Sequence, residues 1–233
     1  MTFQKLINLL PNKKPVIIHS DLLILGKELI KYKNQIKKTL LKHFKKGIFI
    51  PNFNFKSKFI DFDHNRSMSG LSKLFLEDKM VNQLKNPIHS YIYVNTNLND
   101  KKNFMTKSFG LGSVFDYFTK QKLNWINFGA SNNEGWTILH HVEKLCNVSY
   151  RKKIKFKRII IYKKKKEEIT FNYFARKSSN IKSNFDLAIN DMIQDKVIEL
   201  INYNNRKIMI GNCMDIVNYV SSKIEKNEKY LIK

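Results

Sequence analysis

Cysteine is scarce in this chain: of 233 residues only Cys146 and Cys213 are cysteine, and they form no C-x-x-C pair. That excludes a disulfide-stapled secreted scaffold and a cysteine-rich zinc site, and makes a reducing cytoplasm the expected compartment. H-E-x-x-H is also missing, and His140 and His141 are adjacent on a helical segment and point in different directions, so no metal is expected. Without G-x-S-x-G there is no nucleophile elbow. No apolar run approaches the roughly 18 residues of a membrane helix, and Met1 to Leu10 lacks a cleavage-site pattern, so neither a span nor an export signal is expected. Acids are few as well: 19 Asp and Glu against 43 Lys and Arg leave a formal charge of +24.

What is present suffices for a folded core. Hydrophobic residues make up 42% of the chain, with 17 Phe and 10 Tyr, enough apolar surface to offset the ordering entropy of a charged sequence. The charge is mostly lysine, which AT-rich coding produces whatever the function. A nucleic-acid reader would add arginine, interleaved aromatics or a recognisable module. An excess of positive charge also attracts phosphorylated small molecules, so its sign does not choose the partner.

The punctuation of the sequence reads as alternating strands and helices. Pro15 to His19 is a β-branched run, followed by Ser20-Asp21 as a helix cap and a helical pattern from Leu22 to about Phe44. A helix start there could hold a phosphate. Gly47 to Pro51 is a second strand, Asn52 to Ser69 a long loop, Gly70 to Asn86 a helix, and Ile88 to Val94 a strand. Val114 to Lys120 and Trp136 to Leu145 read as helices, with a strand from Leu123 to Phe128 between them. Ile154 to Tyr162 and Ile169 to Ala175 make an antiparallel hairpin around a charged turn, Lys163 to Lys166 with Glu167-Glu168. Phe185 to Asn202 reads as an amphipathic helix, Lys207 to Ile210 as a strand and Met214 to Glu225 as the last helix. With no repeat and no linker, residues 1–233 read as a single layered α/β domain with a mixed central sheet and a β-hairpin.

Thr137-x-x-His140-x-x-Glu143 is the chemically loaded segment, with a hydroxyl, an imidazole and a carboxylate at successive helical steps after a Gly-containing loop. Histidine is the usual general base near neutral pH, and a carboxylate beside it can fix its tautomer. On their own these residues also suit a partly buried helix start.

The order of the blocks resembles that of the antibiotic N-acetyltransferase family, the aminoglycoside 3-N-acetyltransferases and relatives that acylate amino sugars. The blocks are Val16-Ile17-Ile18-His19-Ser20-Asp21-Leu22 with Gly26, Gly47-x-Phe49-x-Pro51-x-Phe53, Ser67-x-x-Gly70-Leu71 and Asn86-Pro87-Ile88-His89-Ser90. Then follow Phe109-Gly110-x-Gly112-Ser113-x-Phe115-Asp116, Thr137-x-Leu139-His140-x-x-Glu143 and Tyr150-Arg151-x-x-Ile154. The resemblance implies acyl transfer from acetyl-CoA, or another acyl-CoA, to a primary amine of an amino sugar. It assigns the base to His140, with Glu143 in support and Asp186 as a second supporting or substrate-contacting carboxylate. Thr137 or Ser113 would supply hydrogen bonds to the oxyanion.

By the same analogy the cofactor lies at Ser20, Asp21 and Leu22, with its phosphates on the helix start and against Ser67 and Gly70. Asn86, Pro87, Phe109, Gly110 and Ser113 would flank its pantetheine arm. Antibiotic-modifying members often carry R-S-x-H-P where this chain has Gln83-Leu84-Lys85-Asn86-Pro87, leaving Lys85 as a substitute for a missing arginine. The charge of +24 favours an anionic, nucleotide-linked amino sugar over a polycationic aminoglycoside antibiotic, whose acetylation would confer resistance. A basic nucleic-acid-binding protein is the reading from a different class, and it requires lysines and aromatics on one surface.

Overall fold

The computed structural model describes residues 2–25, 27–55, 58–63, 69–76, 81–96, 98 and 102–233; Gly26 and Ser67 lie outside the described residues. In chain order the elements are α1 (Phe3–Asn8), β1 (Val16–Ser20), α2 (Lys27–His43), β2 (Ile48–Pro51), β3 (Phe59–Asp61), α3 (Gly70–Leu76), β4 (Asn82–Gln83) and β5 (Tyr91–Val94). They continue with α4 (Lys102–Thr106), α5 (Val114–Lys120), β6 (Asn124–Phe128), α6 (Asn132–Gly135) and α7 (Ile138–Leu145). The last are β7 (Arg151–Tyr162), β8 (Lys165–Arg176), α8 (Asp186–Gln194), β9 (Ile198–Tyr203), β10 (Arg206–Asn212) and α9 (Cys213–Lys226).

A mixed sheet runs β4-β5-β2-β1-β6-β10-β9, with β1 parallel to β2 and to β6 and its other pairs antiparallel. A second sheet runs β3-β7-β8. β1 can be the central strand because Val16, Ile17 and Ile18 are apolar on both faces, as a strand covered on both sides must be. Ile17, Phe49 and Trp125 pack on one side against Phe115, Leu139, Val142 and Val217. Val16, Ile18, Ile48 and Ile126 pack on the other against Leu6, Ile36, Leu40 and Phe75. The result is three layers, helix on sheet on helix.

From β1 the chain crosses to β2 on one side, while β6 joins β1 on the other. The carboxyl ends of β1 and β6 therefore lie at a topological switch point, where open α/β sheets leave a crevice.

The hairpin, the helix Val114–Lys120 and the two terminal elements follow the sequence reading. Five segments differ. Leu22–Leu25 is a single 3-10 turn, and α2 starts only at Lys27, so Asp21 does not cap α2; its Oδ1 accepts from the Leu23 N–H at 2.9 Å. The Asn52–Ser69 loop contains β3, whose Phe59, Ile60 and Asp61 pair in parallel with Ile159, Ile160 and Ile161. The helix expected to reach Asn86 ends at Leu76 among the described residues, and Asn82 and Gln83 instead pair with Tyr93 and Ile92.

The Phe185–Asn202 helix stops at Gln194, where Lys196 turns into the left-handed region at φ 57° and the chain continues as β9. Asn204 and Asn205, both left-handed, close the β9–β10 hairpin in two residues. The charged turn of the other hairpin is also shorter than expected: only Lys163 and Lys164 turn, and their N–H groups donate to Asp63 at 2.7 Å each.

Candidate functional site

At the switch point a cavity of about 750 Å³ opens. Ser20, Asp21 and Leu22 reach it from the end of β1, Pro51, Phe53 and Phe55 from the end of β2, and Ala130, Glu134, Thr137 and His140 from the chain that follows β6. His19, His89, Ser69, Gly70 and Tyr173 complete much of its wall. The turn after β6 is fixed by Asn127, whose Oδ1 accepts from the Ala130 N–H at 2.9 Å, and by Trp125, whose Nε1–H donates to the Gly135 carbonyl at 2.8 Å. A Cβ at Gly135 would lie 2.2 Å from Asn127 Nδ2, so only glycine lets α6 approach β6 this closely. α7 then begins beside the cavity and turns His140 toward it.

His140 Nδ1 lies 2.6 Å from Glu143 Oε2, one helical turn further on. Glu143 is fully buried and shared: Tyr150 donates to Oε1 at 3.0 Å, and Arg151 Nε sits 2.8 Å from Oε2. The Nε–H does not point along that line, so the Arg151 contact is Coulombic rather than an aligned hydrogen bond. Arg151 is itself anchored through Nη1 to the Phe174 carbonyl at 3.0 Å. Burial raises the Glu143 carboxyl, but His140 and Arg151 more than offset it and hold it below the usual carboxylate range.

Arg151 Nη2 also approaches His140 Nδ1, at 2.9 Å, but a guanidinium only donates. A nitrogen 2.6 Å from a carboxylate oxygen must carry the intervening proton. His140 Nδ1 therefore carries the proton that faces Glu143, and in the neutral ring the lone pair is on Nε2.

The other expected site residues divide into two groups. Ser20, Asp21, Leu22, Gly70, Thr137 and His140 line the cavity, while Ser67 lies outside the described residues. Asp21 is paired with Arg206 at 2.6 Å, so the end of β1 presents an ion pair rather than the bare helix start expected. Asn86, Pro87, Phe109, Gly110 and Ser113 do not line the cavity; they build what stands behind it. Asn86 Nδ2 donates to the Phe104 and Lys107 carbonyls, and its Oδ1 accepts from the Ile88 and His89 N–H groups.

Gly110 donates to His141 Nδ1 at 3.1 Å, Ser113 caps α5, and Phe109 packs on His140. Asp186 accepts from Asn132 at 2.7 Å, and Lys85 lies over the Tyr162 ring. Tyr150 and Arg151 stood in a matching block without a role, and nothing but their place directly after α7 marked them. His19 and His89 were embedded in blocks in the same way. Burial holds His19 at about 3 and His89 well below its ordinary value, so both are neutral imidazoles. Among the described residues no three His, Cys, Asp or Glu side chains are grouped to hold a metal ion, and no helix is long and apolar enough to cross a membrane.

A layered mixed-sheet fold with a ligand-sized crevice at its switch point defines the class of structure. No protein-family model and no curated protein sequence matches the chain. Solved structures do match: AAC-IIIb in binary complex with CoASH, at TM-score 0.76 and 12% identity, covers 94% of this chain and 92% of that one. A mutant of aminoglycoside acetyltransferase AAC(3)-IVa in complex with a gentamicin matches at TM-score 0.73 and 12% identity over 97% and 89%. YokD protein from Bacillus subtilis matches at 0.70 and 13% over 97% and 91%. The chain has the fold of the AAC(3) aminoglycoside acetyltransferases.

Proposed function

We propose that this protein transfers an acetyl group, or another acyl group, from acyl-CoA to a primary amine of an amino sugar, with His140 as the general base. The observation that carries the reading is the Tyr150–Arg151–Glu143–His140 chain, which ends on an imidazole that lines the cavity. The fold shared with acetyltransferases, one of them bound to CoASH, supports it independently.

Acetyl-CoA, when bound, supplies an acetyl thioester. Apolar walls from Leu22, Leu23, Ile50, Pro51 and Phe53, with hydroxyls from Ser20 and Ser69, suit its pantetheine arm. Arg206 adjoins that wall through Asp21 and would offer a phosphate there a cation. His140 Nε2 removes the proton from the amine as nitrogen bonds to the acyl carbon and the carbon–sulfur bond breaks; the same proton then passes to the leaving sulfur. Glu143 holds Nδ1–H and stabilises the imidazolium in between. Thr137, one turn before His140, has only a long hydrogen bond of 3.5 Å to the Glu134 carbonyl, which leaves its hydroxyl free to turn toward the acyl oxygen.

On the described wall Glu134 favours a cationic acceptor over the nucleotide-linked one suggested by total charge, while Asp21 is neutralised by Arg206. Thiol release from acetyl-CoA tests this, with an aminoglycoside and a nucleotide-linked amino sugar as rival acceptors. The expected result is a kcat/KM at least about tenfold higher for the aminoglycoside, a difference of about 1.4 kcal/mol. Turnover of neither amine would overturn the reading.

A further inference from the structure

His89 is a buried histidine that the base chemistry leaves unused. It lines the cavity at 1% exposure, and its ring is packed by Phe53, Phe55, Phe109, Phe115 and Tyr173. Its backbone is clamped by Asn86, which also ties down the Phe104 and Lys107 carbonyls just before Ser108. The clamp therefore brings His89 and Ser108 together, with Nδ1 at 2.8 Å from Ser108 Oγ.

The tautomer follows from that contact. Ser108 is fully buried, and its hydroxyl has no other side-chain hydrogen bond among the described residues. A buried hydroxyl with one partner gives its proton to that partner, because a stranded donor is costly. Nδ1 then accepts, and the ring proton sits on Nε2. Among the described residues Nε2 has no protein partner, and His89 is one of the residues that line the cavity. His19 differs: its Nε2 meets the Tyr91 hydroxyl at 3.4 Å and its ring stacks on Trp125. His89 and His140 both pack against Phe109, which puts the free N–H and the base in one neighbourhood.

We propose that His89 is a second catalytic histidine of the acyl transfer, donating a hydrogen bond from Nε2–H to the acyl carbonyl oxygen while His140 takes the amine proton. The inference rests on the acyl-transfer reading. A neutral imidazole suits the role because it polarises the carbonyl without giving up a proton, and burial keeps His89 neutral. His89 thus carries no net charge into the step; it stabilises the charge that grows on oxygen.

Two measurements test it. In nitrogen-15 spectra of histidine-labelled protein, His89 should be the Nε2–H tautomer at neutral pH, and its Nε2–H resonance should shift with acetyl-CoA but not with CoA. His89→Leu should lower kcat by about 10²- to 10³-fold with the KM for acetyl-CoA little changed, and His89→Gln, which keeps an N–H donor, should recover at least tenfold of that loss. Thermal melting of both variants separates loss of fold from loss of the donor. An Nδ1–H tautomer, no acetyl-dependent shift, or unchanged kcat in a folded His89→Leu protein would each overturn the proposal. Wild-type protein that acetylates no amine but still shows the Nε2–H tautomer would sink the acyl-transfer reading and not the tautomer assignment.

Discussion

The β7–β8 hairpin and the cavity carry opposite electrostatic characters. Between Arg151 and Lys177 the chain has twelve Lys or Arg and two Glu, which accounts for +10 of the total +24 in 27 residues. On one face of that ribbon Lys153, Lys155 and Lys157 alternate outward, and Glu168 is paired with Lys157. The described wall of the cavity holds two carboxylates and no Lys or Arg, and the cation nearest its base, Arg151, is committed to Glu143. Net charge is thus a property of the surface, and a poor guide to what the site binds. Beneath the cavity the buried Glu143 is compensated by Arg151, His140 and Tyr150, because burial makes an unpaired charge expensive.

Breaking the buried pairing should have the largest effect on stability. Arg151→Met leaves the Glu143 carboxylate buried with one of its cationic neighbours gone, and urea denaturation should show a loss of about 3–5 kcal/mol. An unchanged midpoint would mean that Glu143 does not depend on Arg151.

Acidification sharpens the comparison next. His19 and His141 are held at about 3 and about 4, and His89 is also lowered, against about 6.5 for a free histidine. Below pH 6.5 the unfolded chain therefore binds protons that the folded chain refuses, and stability falls as pH drops. Each such histidine contributes a slope of about 1.4 kcal/mol per pH unit between its folded value and about 6.5. Glu143 is depressed instead, so the stability it adds is present above the ordinary carboxylate range and is lost as pH falls through its lowered value. Denaturation midpoints between pH 7.5 and 5 should drop steeply, and His19→Gln should flatten the curve; a flat wild-type profile would contradict the buried, neutral state.

The ribbon should matter least. Replacing Lys153, Lys155 and Lys157 together with Ser should leave the melting temperature close to that of wild type and the acetyl-transfer rate within about twofold of it, since exposed charges contribute little to stability. A collapse of activity in that triple variant would tie the surface charge to the reaction.

The sequence was most legible where one local signal dominated. The Val16–Ile18 run announced a strand, and the pattern from Val114 to Lys120 announced a helix. It was least legible where pairing with a distant strand overrode helical periodicity, as at Asn82–Gln83 and at Ile198–Tyr203. The Asn204-Asn205 pair was the available hint, because two left-handed residues in succession suit a two-residue hairpin.

In the site, the His140–Glu143 spacing was readable because helical geometry sets it. The contacts of Tyr150, Arg151, Ser108 and His89 were not, because they join residues brought together only by the tertiary fold. Asn86 illustrates the limit of a matching block: all four of its hydrogen bonds go to backbone, a shaping role that the block alone did not disclose.

The most direct test of the central claim is a single-turnover comparison of wild type and His140→Ala with acetyl-CoA and an aminoglycoside, paired with calorimetric titration of acetyl-CoA. With His140 as the base, the variant binds acetyl-CoA about as tightly as wild type and transfers the acetyl group two to four decades more slowly, roughly the range of general-base catalysis. Equal transfer rates in the two proteins would contradict it.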